Sequence, residues 1–432
     1  MHYEPIRLTV RTTWHIIQPI PTEDTFMAHT RYPGGFTVKR RSALLMILIA
    51  YASFVGLGVL AGLLGVAWPS IRDTFGLRLD SIGVLFTATT AGSLIAAFAS
   101  GTVVGRVGSG RFLFFSTVLA VVGLAGYALA PAWWVMVGCG LLTGAAEGAI
   151  DAGLNAYFAA NHNARLMNWL HAAFGLGATG GPVLMTALLT AGKSWRWGFV
   201  TVGVAQVLVA LGMVLTLDRW QPTVPESSSR ARETPLARPE PATATLMLPL
   251  VWLSVVLFFF VAGTETSAGQ WAYSLFTEGR GVNTATAGLW VSVYWVAIAG
   301  GRIVYGMTGD RLGLNRLLRI SMLIMIAGAV LLWWNPSNLL SFVGLALIGF
   351  GLAPVFPLLQ LVTPTRVGQT HAANAIGFQT AVAYLGLGFL PGLAGVLAER
   401  WGLALVGPFL VCCSVAMFVL HEIVVRRAGE AV

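Results

Sequence analysis

The chain has 432 residues, of which 56% are hydrophobic and 10% charged, with a formal net charge of +9 and a mean hydropathy of +0.76. Soluble domains carry about a quarter charged residues, so this composition excludes a soluble enzyme, a disordered scaffold and a secreted disulfide protein. Twelve spans of about 20 residues would absorb the apolar content, and the solvent they imply is a lipid bilayer.

Residues 1–41 hold no long apolar run and do not look like a cleaved signal peptide. They read as a cytoplasmic tail, with Met27 a second plausible start, and Lys39, Arg40 and Arg41 anchor the first span on the cytoplasmic side. Six predicted spans follow at 42–67, 82–105, 112–130, 132–158, 166–190 and 197–217, forming an N-terminal bundle over 42–217. The segment 218–247, rich in Pro, Ser, Arg and Glu, cannot bury a core and reads as a cytoplasmic linker. The second bundle, 248–425, has predicted spans at 248–274, 285–305, 316–334, 338–362, 372–397 and 402–425, and 426–432 is a short tail.

Placing the start inside puts nineteen Lys and Arg in cytoplasmic segments against six in the opposite loops. The positive-inside rule therefore sets both termini and the linker in the cytoplasm. It also accounts for the basic balance without a nucleic-acid partner. Cys139, Cys412 and Cys413 lie in apolar runs without metal-ligand spacing and read as buried free thiols.

An internal repeat sets the fold class. Residues 101–111 read G-T-V-V-G-R-V-G-S-G-R and residues 306–316 read G-M-T-G-D-R-L-G-L-N-R, 205 positions later. Gly101, Arg106, Gly108 and Arg111 coincide with Gly306, Arg311, Gly313 and Arg316. Both copies fall between the second and third spans of their half. Parallel six-span halves imply a substrate cavity between them near the midplane. The loop resembles the signature of the major facilitator superfamily, and the resemblance covers all twelve spans. The second copy fits well, with Gly306, Asp310, Arg311 and Gly313, whereas the first has Gly105 in place of the acid. The expected fold is an all-α membrane protein of two pseudo-symmetric six-helix bundles. In it these loops gate the cavity, their glycines allowing close helix approach and their charges locking the cytoplasmic ends. A tight turn with positive-inside arginines is the plainer alternative.

An ionisable residue inside a span costs ~2.5–3.5 kcal/mol or more and is a functional candidate by default. On the fourth span Glu147, Asp151 and Asn155 recur every fourth residue along one helical face. Two carboxylates one turn apart repel when both are ionised, which suits one of them to carrying a proton. On the seventh span Glu265 sits among Gly263, Thr264, Thr266, Ser267 and Gly269, followed by Gln270 and Trp271. An indole and an amide suit a sugar, with its apolar faces and hydroxyl rim. Asn168 and His171 share a face of the fifth span, while Gln360, Asn374 and Gln379 are further polar candidates for solute contact. Arg302 lies one turn before the repeated loop and reads as a structural arginine reaching to the cytoplasm.

The runs D-A-G-L-N-A-Y at 151–157, N-W-L-H-A-A-F-G-L-G-A at 168–178 and V-A-G-T-E-T-S-A-G-Q-W at 261–271 narrow the resemblance. With A-P-V-F-P at 353–357 and G-F-L-P-G-L-A-G at 388–395, they look like the fucose–proton symporter family and its glucose-transporter relatives. That resemblance implies that Asp151, four residues before Asn155, takes part in proton coupling. The family's first-span acid has no counterpart between Ser42 and Ala67, so Glu265 or Glu147 would substitute, or the transporter would run uncoupled or on sodium.

The expected activity is secondary transport of a neutral polar solute, a monosaccharide in the first instance, in symport with protons and by alternating access. The expected setting is the plasma membrane, with the chain as a monomer. An antiporter exporting amphipathic drugs is the alternative, and a non-transporting membrane sensor a remote one. No phosphate-binding loop, metal cluster or nucleophile–base pair is seen, so neither an enzyme nor a cofactor is expected.

Overall fold

The computed structural model describes residues 36–162, 164–220 and 240–430; the side chains of 36–43, 164, 306, 308–312 and 430 lie outside that description. The chain divides into two units, 1–45 and 46–432, and the packing below is that of the second. The expectation for residues 1–35 and most of the linker (221–239) also lies outside the described residues.

Among the described residues, twelve helices are long and apolar enough to cross a membrane. In the N-terminal half they are α1 (Phe36–Phe75), α2 (Ile82–Val107), α3 (Ser109–Leu129), α4 (Trp133–Asn161), α5 (Ala164–Thr190) and α6 (Arg196–Thr216). In the C-terminal half they are α7 (Pro249–Thr277), α8 (Thr284–Leu312), α9 (Leu314–Trp334), α10, α11 (Gln369–Trp401) and α12 (Val406–Glu430). A chain in lipid must satisfy its backbone internally, which is why the apolar runs become helices and the described residues hold no strand. A short helix, Ala242–Leu246, occupies the end of the segment expected to be linker.

Helix 10 is in two pieces, Asn338–Leu352 and Val355–Val367. Pro354 has no N–H to donate, and neither has Pro357, so the helical bonds into Phe350 and Ala353 are missing. The continuous span expected over 338–362 is interrupted there.

Small residues bring the helices together, since lipid offers no hydrophobic drive between them. The 205-residue repeat seen in the loops extends into this packing. Gly58 meets the Phe174 carbonyl of α5, and Gly263 the Gly386 carbonyl of α11. Gly144 meets Thr89 on α2, and Gly349 meets Tyr294 on α8, with both glycine and partner 205 residues apart. Gly123 and Gly328 repeat the pattern between the third and fourth helices of each half. Gly108 and Gly313, each the single residue joining the second helix of its half to the third, have φ of 83° and 75°. Only glycine adopts that backbone without strain.

The face at which α1 begins and α12 ends is called the tail face, and the opposite one the far face. The halves are closed on the far face. Arg72 of α1 pairs with Glu278 at 2.9 Å, and Glu399 accepts the Leu79 N–H at 2.8 Å. Gly83 lies against Gly392, Gly65 against the Gln270 carbonyl, and Gly288 against Thr186. Toward the tail face, Gly101, Gly105 and Gly377 meet no atom within 4 Å of a would-be Cβ. Among the described residues, the close contacts between the halves lie on the far side and at mid-molecule.

Candidate functional site

The polar residues singled out lie on α4, α5 and α7, and one of them makes a hydrogen bond to the other half. Asp151 is half-buried on α4. Its Oδ1 accepts Asn155 Nδ2 at 2.9 Å, one turn along the same helix. Its Oδ2 accepts the hydroxyl of Tyr384 at 2.7 Å from α11 of the other half. Thus one carboxylate joins the two bundles in mid-molecule, and Tyr384 is a site residue that sequence reasoning missed. A tyrosine in an apolar run carries no charge to mark it. Asn155 keeps Oδ1 buried and without a partner among the described residues, which leaves it an acceptor for a hydroxyl donor.

Glu147 lies one turn from Asp151 toward the far face, half-buried and without a hydrogen-bond partner among the described residues. Its charge acts on Tyr127 and Tyr384. On α5, His171 is exposed to the open side and stands edge-on to Phe54, with ring centroids 5.8 Å apart. Asp151 and Arg302 are the charged groups that act on it. Asn168, one turn nearer the tail face, is exposed as well.

Glu265 is half-buried on α7. Tyr294 donates to its backbone carbonyl at 2.8 Å, leaving the carboxyl free of hydrogen bonds among the described residues. Arg302 is the charged neighbour that acts on Glu265. The reading of Arg302 as a structural arginine has a backbone contact behind it. Its Nε points to the Ala353 carbonyl at 3.4 Å. That is the carbonyl freed at the break in helix 10, and the absence of a side chain at Gly301, beside Ala353, allows the approach. The P-V-F-P run was the signal, because two prolines three apart expose backbone acceptors inside a span.

Other candidates are placed in packing roles in this conformation. Trp271, expected to stack on a sugar, is fully buried, and its indole N–H donates to the Pro391 carbonyl of α11 at 2.9 Å. A buried indole needs such an acceptor, so Trp271 braces α7 against α11 instead of facing the cavity. Gln379 is also fully buried, bridging Ser254 of α7 and Thr363 of α10 at 3.1 and 3.0 Å. Asn374 fastens the segment before α7 through the Glu240 carbonyl at 2.8 Å and Thr245 at 3.3 Å. Gln270 is buried, with Nε2 unpartnered among the described residues. Gln360 remains half-buried, with Nε2 3.4 Å from Thr380; it is 205 residues after Asn155 and so its equivalent in the second half.

Of the loop residues, Gly101, Arg106, Gly108 and Arg111 are exposed on the tail face. The side chains of Asp310 and Arg311, and the surroundings of Gly306, lie outside the described residues, so the expected charge lock is not visible. Gly313 matches Gly108 in backbone shape. Among the described residues no group of three His, Cys, Asp or Glu could hold a metal.

Comparison with known proteins accords with this architecture. The chain is 24% identical over 323 residues to the glucose/mannose transporter GlcP of Bacillus subtilis, covering 72% of this chain and 78% of that one. It is 29% identical over 405 residues to the 3-(3-hydroxy-phenyl)propionate transporter of Escherichia coli, covering 89% and 96%. A crystal structure of a D-xylose–proton symporter superposes with a TM-score of 0.69 at 16% identity, covering 87% of this chain and 97% of that one. The E. coli fucose:proton symporter, in its outward conformation, gives 0.58 at 16% identity, covering 89% and 99%. The Major Facilitator Superfamily profile matches residues 43–386 and again 253–430. With twelve membrane-length helices among its described residues, two glycine-matched halves and this profile match over most of its length, the chain belongs to the Major Facilitator Superfamily of membrane transporters.

Proposed function

We propose that this transporter moves a neutral polar solute, a monosaccharide in the first instance, in symport with protons. The observation that carries the reading is the hydrogen bond from Tyr384 to Asp151, at 2.7 Å between the halves. A hydrogen bond to an ionised acceptor is about twice as strong as a neutral one. Protonating Asp151 therefore loosens a contact that bridges the two bundles, which links proton binding to their rocking. Glu147 and Glu265 are the supporting acids, and Asn155, Asn168, His171 and Gln360 offer donors and acceptors to hydroxyl groups. Gln270, Trp271, Asn374 and Gln379 would reach the solute only after the helices they brace have moved. The names of the glucose/mannose and xylose transporters among its relatives support the solute class.

The charge distribution supports placing the tail face in the cytoplasm of a plasma-membrane protein, with the loops at 101–111 and 306–316 as gates. The chain acts as a monomer, since each chain holds both halves. Proteoliposome uptake of labelled hexoses, with and without a pH gradient and with and without sodium, tests the reading. Asp151→Asn should abolish uphill uptake while leaving solute exchange measurable; normal accumulation by this variant would overturn the proton role.

A second reading, an aromatic carboxylate as solute, rests on Arg302. It is a cation at the cavity whose hydrogen-bond partner is a backbone carbonyl, and the hydroxyphenylpropionate transporter is a relative by sequence. Competition between hexoses and phenylpropionates for uptake separates the two.

A further inference from the structure

We propose that a groove on the tail face, between the start of α7 and the end of α12, binds one anionic phospholipid. The groove is a shallow, open depression of about 440 Å³ lined by Leu246, Met247, Trp252, Leu253, Leu420 and Arg427. That volume lies within the ~300–1,000 Å³ of small-ligand sites.

The wall is a built element. The chain turns at Met247 between the short helix Ala242–Leu246 and α7. The indole of Trp252 donates to the Leu246 carbonyl at 2.8 Å, which holds its ring across the turn. The short helix is itself pinned to α11. Thr245 is fully buried with its hydroxyl 3.0 Å from His371 Nδ1, and the Glu240 N–H donates to the Thr370 carbonyl at 3.1 Å. Yet Met247 and Trp252 remain 81% and 53% exposed, so no part of the described chain covers the groove.

The charge at the rim selects the occupant. Arg427 is exposed in the last turn of α12 and has no acidic partner within 4.0 Å among the described residues. Arg319, on the same face, is saturated by Glu422 at 2.6 and 3.0 Å. An apolar slot beside a guanidinium without an acidic partner among the described residues, with an indole in the same lining, matches an acyl chain joined to a phosphate at the depth of the headgroups. Neutral lipid would fill the slot and leave the guanidinium without its counter-charge.

The test uses the purified full chain, delipidated and re-exposed to equal phosphatidylglycerol and phosphatidylcholine with identical acyl chains, with bound lipid read by native mass spectrometry. Wild type should retain one phosphatidylglycerol with at least about fivefold preference, the effect of one basic residue near an anionic surface. Arg427→Gln should abolish the preference, and Met247→Glu, at an exposed position, should reverse it. Arg106→Gln, which removes a tail-face arginine away from the groove, should leave it intact. Equal retention of the two lipids by wild type, an unchanged preference in Arg427→Gln, or an equal loss in Arg106→Gln would each overturn the proposal. Displacement of the lipid by inorganic phosphate alone would do so as well, because it would show an anion site that makes no use of the groove.

Discussion

Gly288 offers a direct handle on the closed far face. It lies in the second turn of α8, where a methyl group built on its Cα would sit 1.8 Å from Thr186 Oγ1 and 2.7 Å from both Thr186 Cβ and Cγ2 on α5. Rotating the threonine moves Oγ1 and Cγ2 but leaves Cβ in place, so Gly288→Ala must push α5 and α8 apart. Ordinary contact begins near 3.4 Å, so the helices must separate by roughly 0.7 Å there, and overpacking of this kind costs about 1–3 kcal/mol. The cost falls on the far-closed state alone if the two helices part when the far side opens. At about 1.4 kcal/mol per tenfold, the equilibrium should move five- to 150-fold toward the far-open state. Distances between spin labels on the tail-face ends of α5 and α8, measured in liposomes, report that equilibrium. Thr186→Gly combined with Gly288→Ala should restore the original distribution, and Gly377→Ala, which meets open space, should leave it unchanged. If Gly288→Ala folds and gives the same distribution as Gly377→Ala, the inference that this contact belongs to one state only is wrong.

Three more outcomes follow from the site. Tyr384→Phe removes the donor to Asp151, a charge-assisted bond of about 1.5–3 kcal/mol; uptake should lose most of its dependence on the pH gradient while the variant still binds solute in equilibrium dialysis. Trp271→Phe loses the bond to the Pro391 carbonyl and leaves space where the larger indole packs against Gly395. Stability should fall by about 1–3 kcal/mol in thermal unfolding, with the solute KM unchanged; a raised KM at unchanged stability would return Trp271 to the binding surface. Arg302→Lys preserves charge but lacks the Nε that faces Ala353, so it should lower uptake kcat/KM at least tenfold while the unfolding temperature stays close to that of wild type. Wild-type kinetics in this variant would return Arg302 to a purely structural role.

The number of spans, the halves and the joining glycines are legible in the sequence because lipid imposes a simple code of apolar length and small-residue contacts. Asp151 and Asn155 are legible for the same reason, since polar groups in apolar runs need a purpose. Trp271 misleads because an indole is equally suited to a sugar and to a neighbouring carbonyl, and only the position of Pro391 decides between them. For Arg302 the distance from the loop can be read along the chain, whereas the carbonyl it meets belongs to another helix. Gln379 and Asn374 show the same limit: an amide in a span declares that it has partners, without saying whether they are solute or protein.

The broken tenth helix has an electrostatic consequence. Its first half ends with bare carbonyls inside the bundle, the negative pole of a helix dipole equivalent to about half a charge. Arg302 leans on that pole, so backbone partial charge does part of the work that a fourth acidic side chain would otherwise do. Glu147, Asp151 and Glu265 are then not committed to holding the arginine in place. With one guanidinium against three carboxylates, the interior is short of positive charge whenever all three acids are ionised.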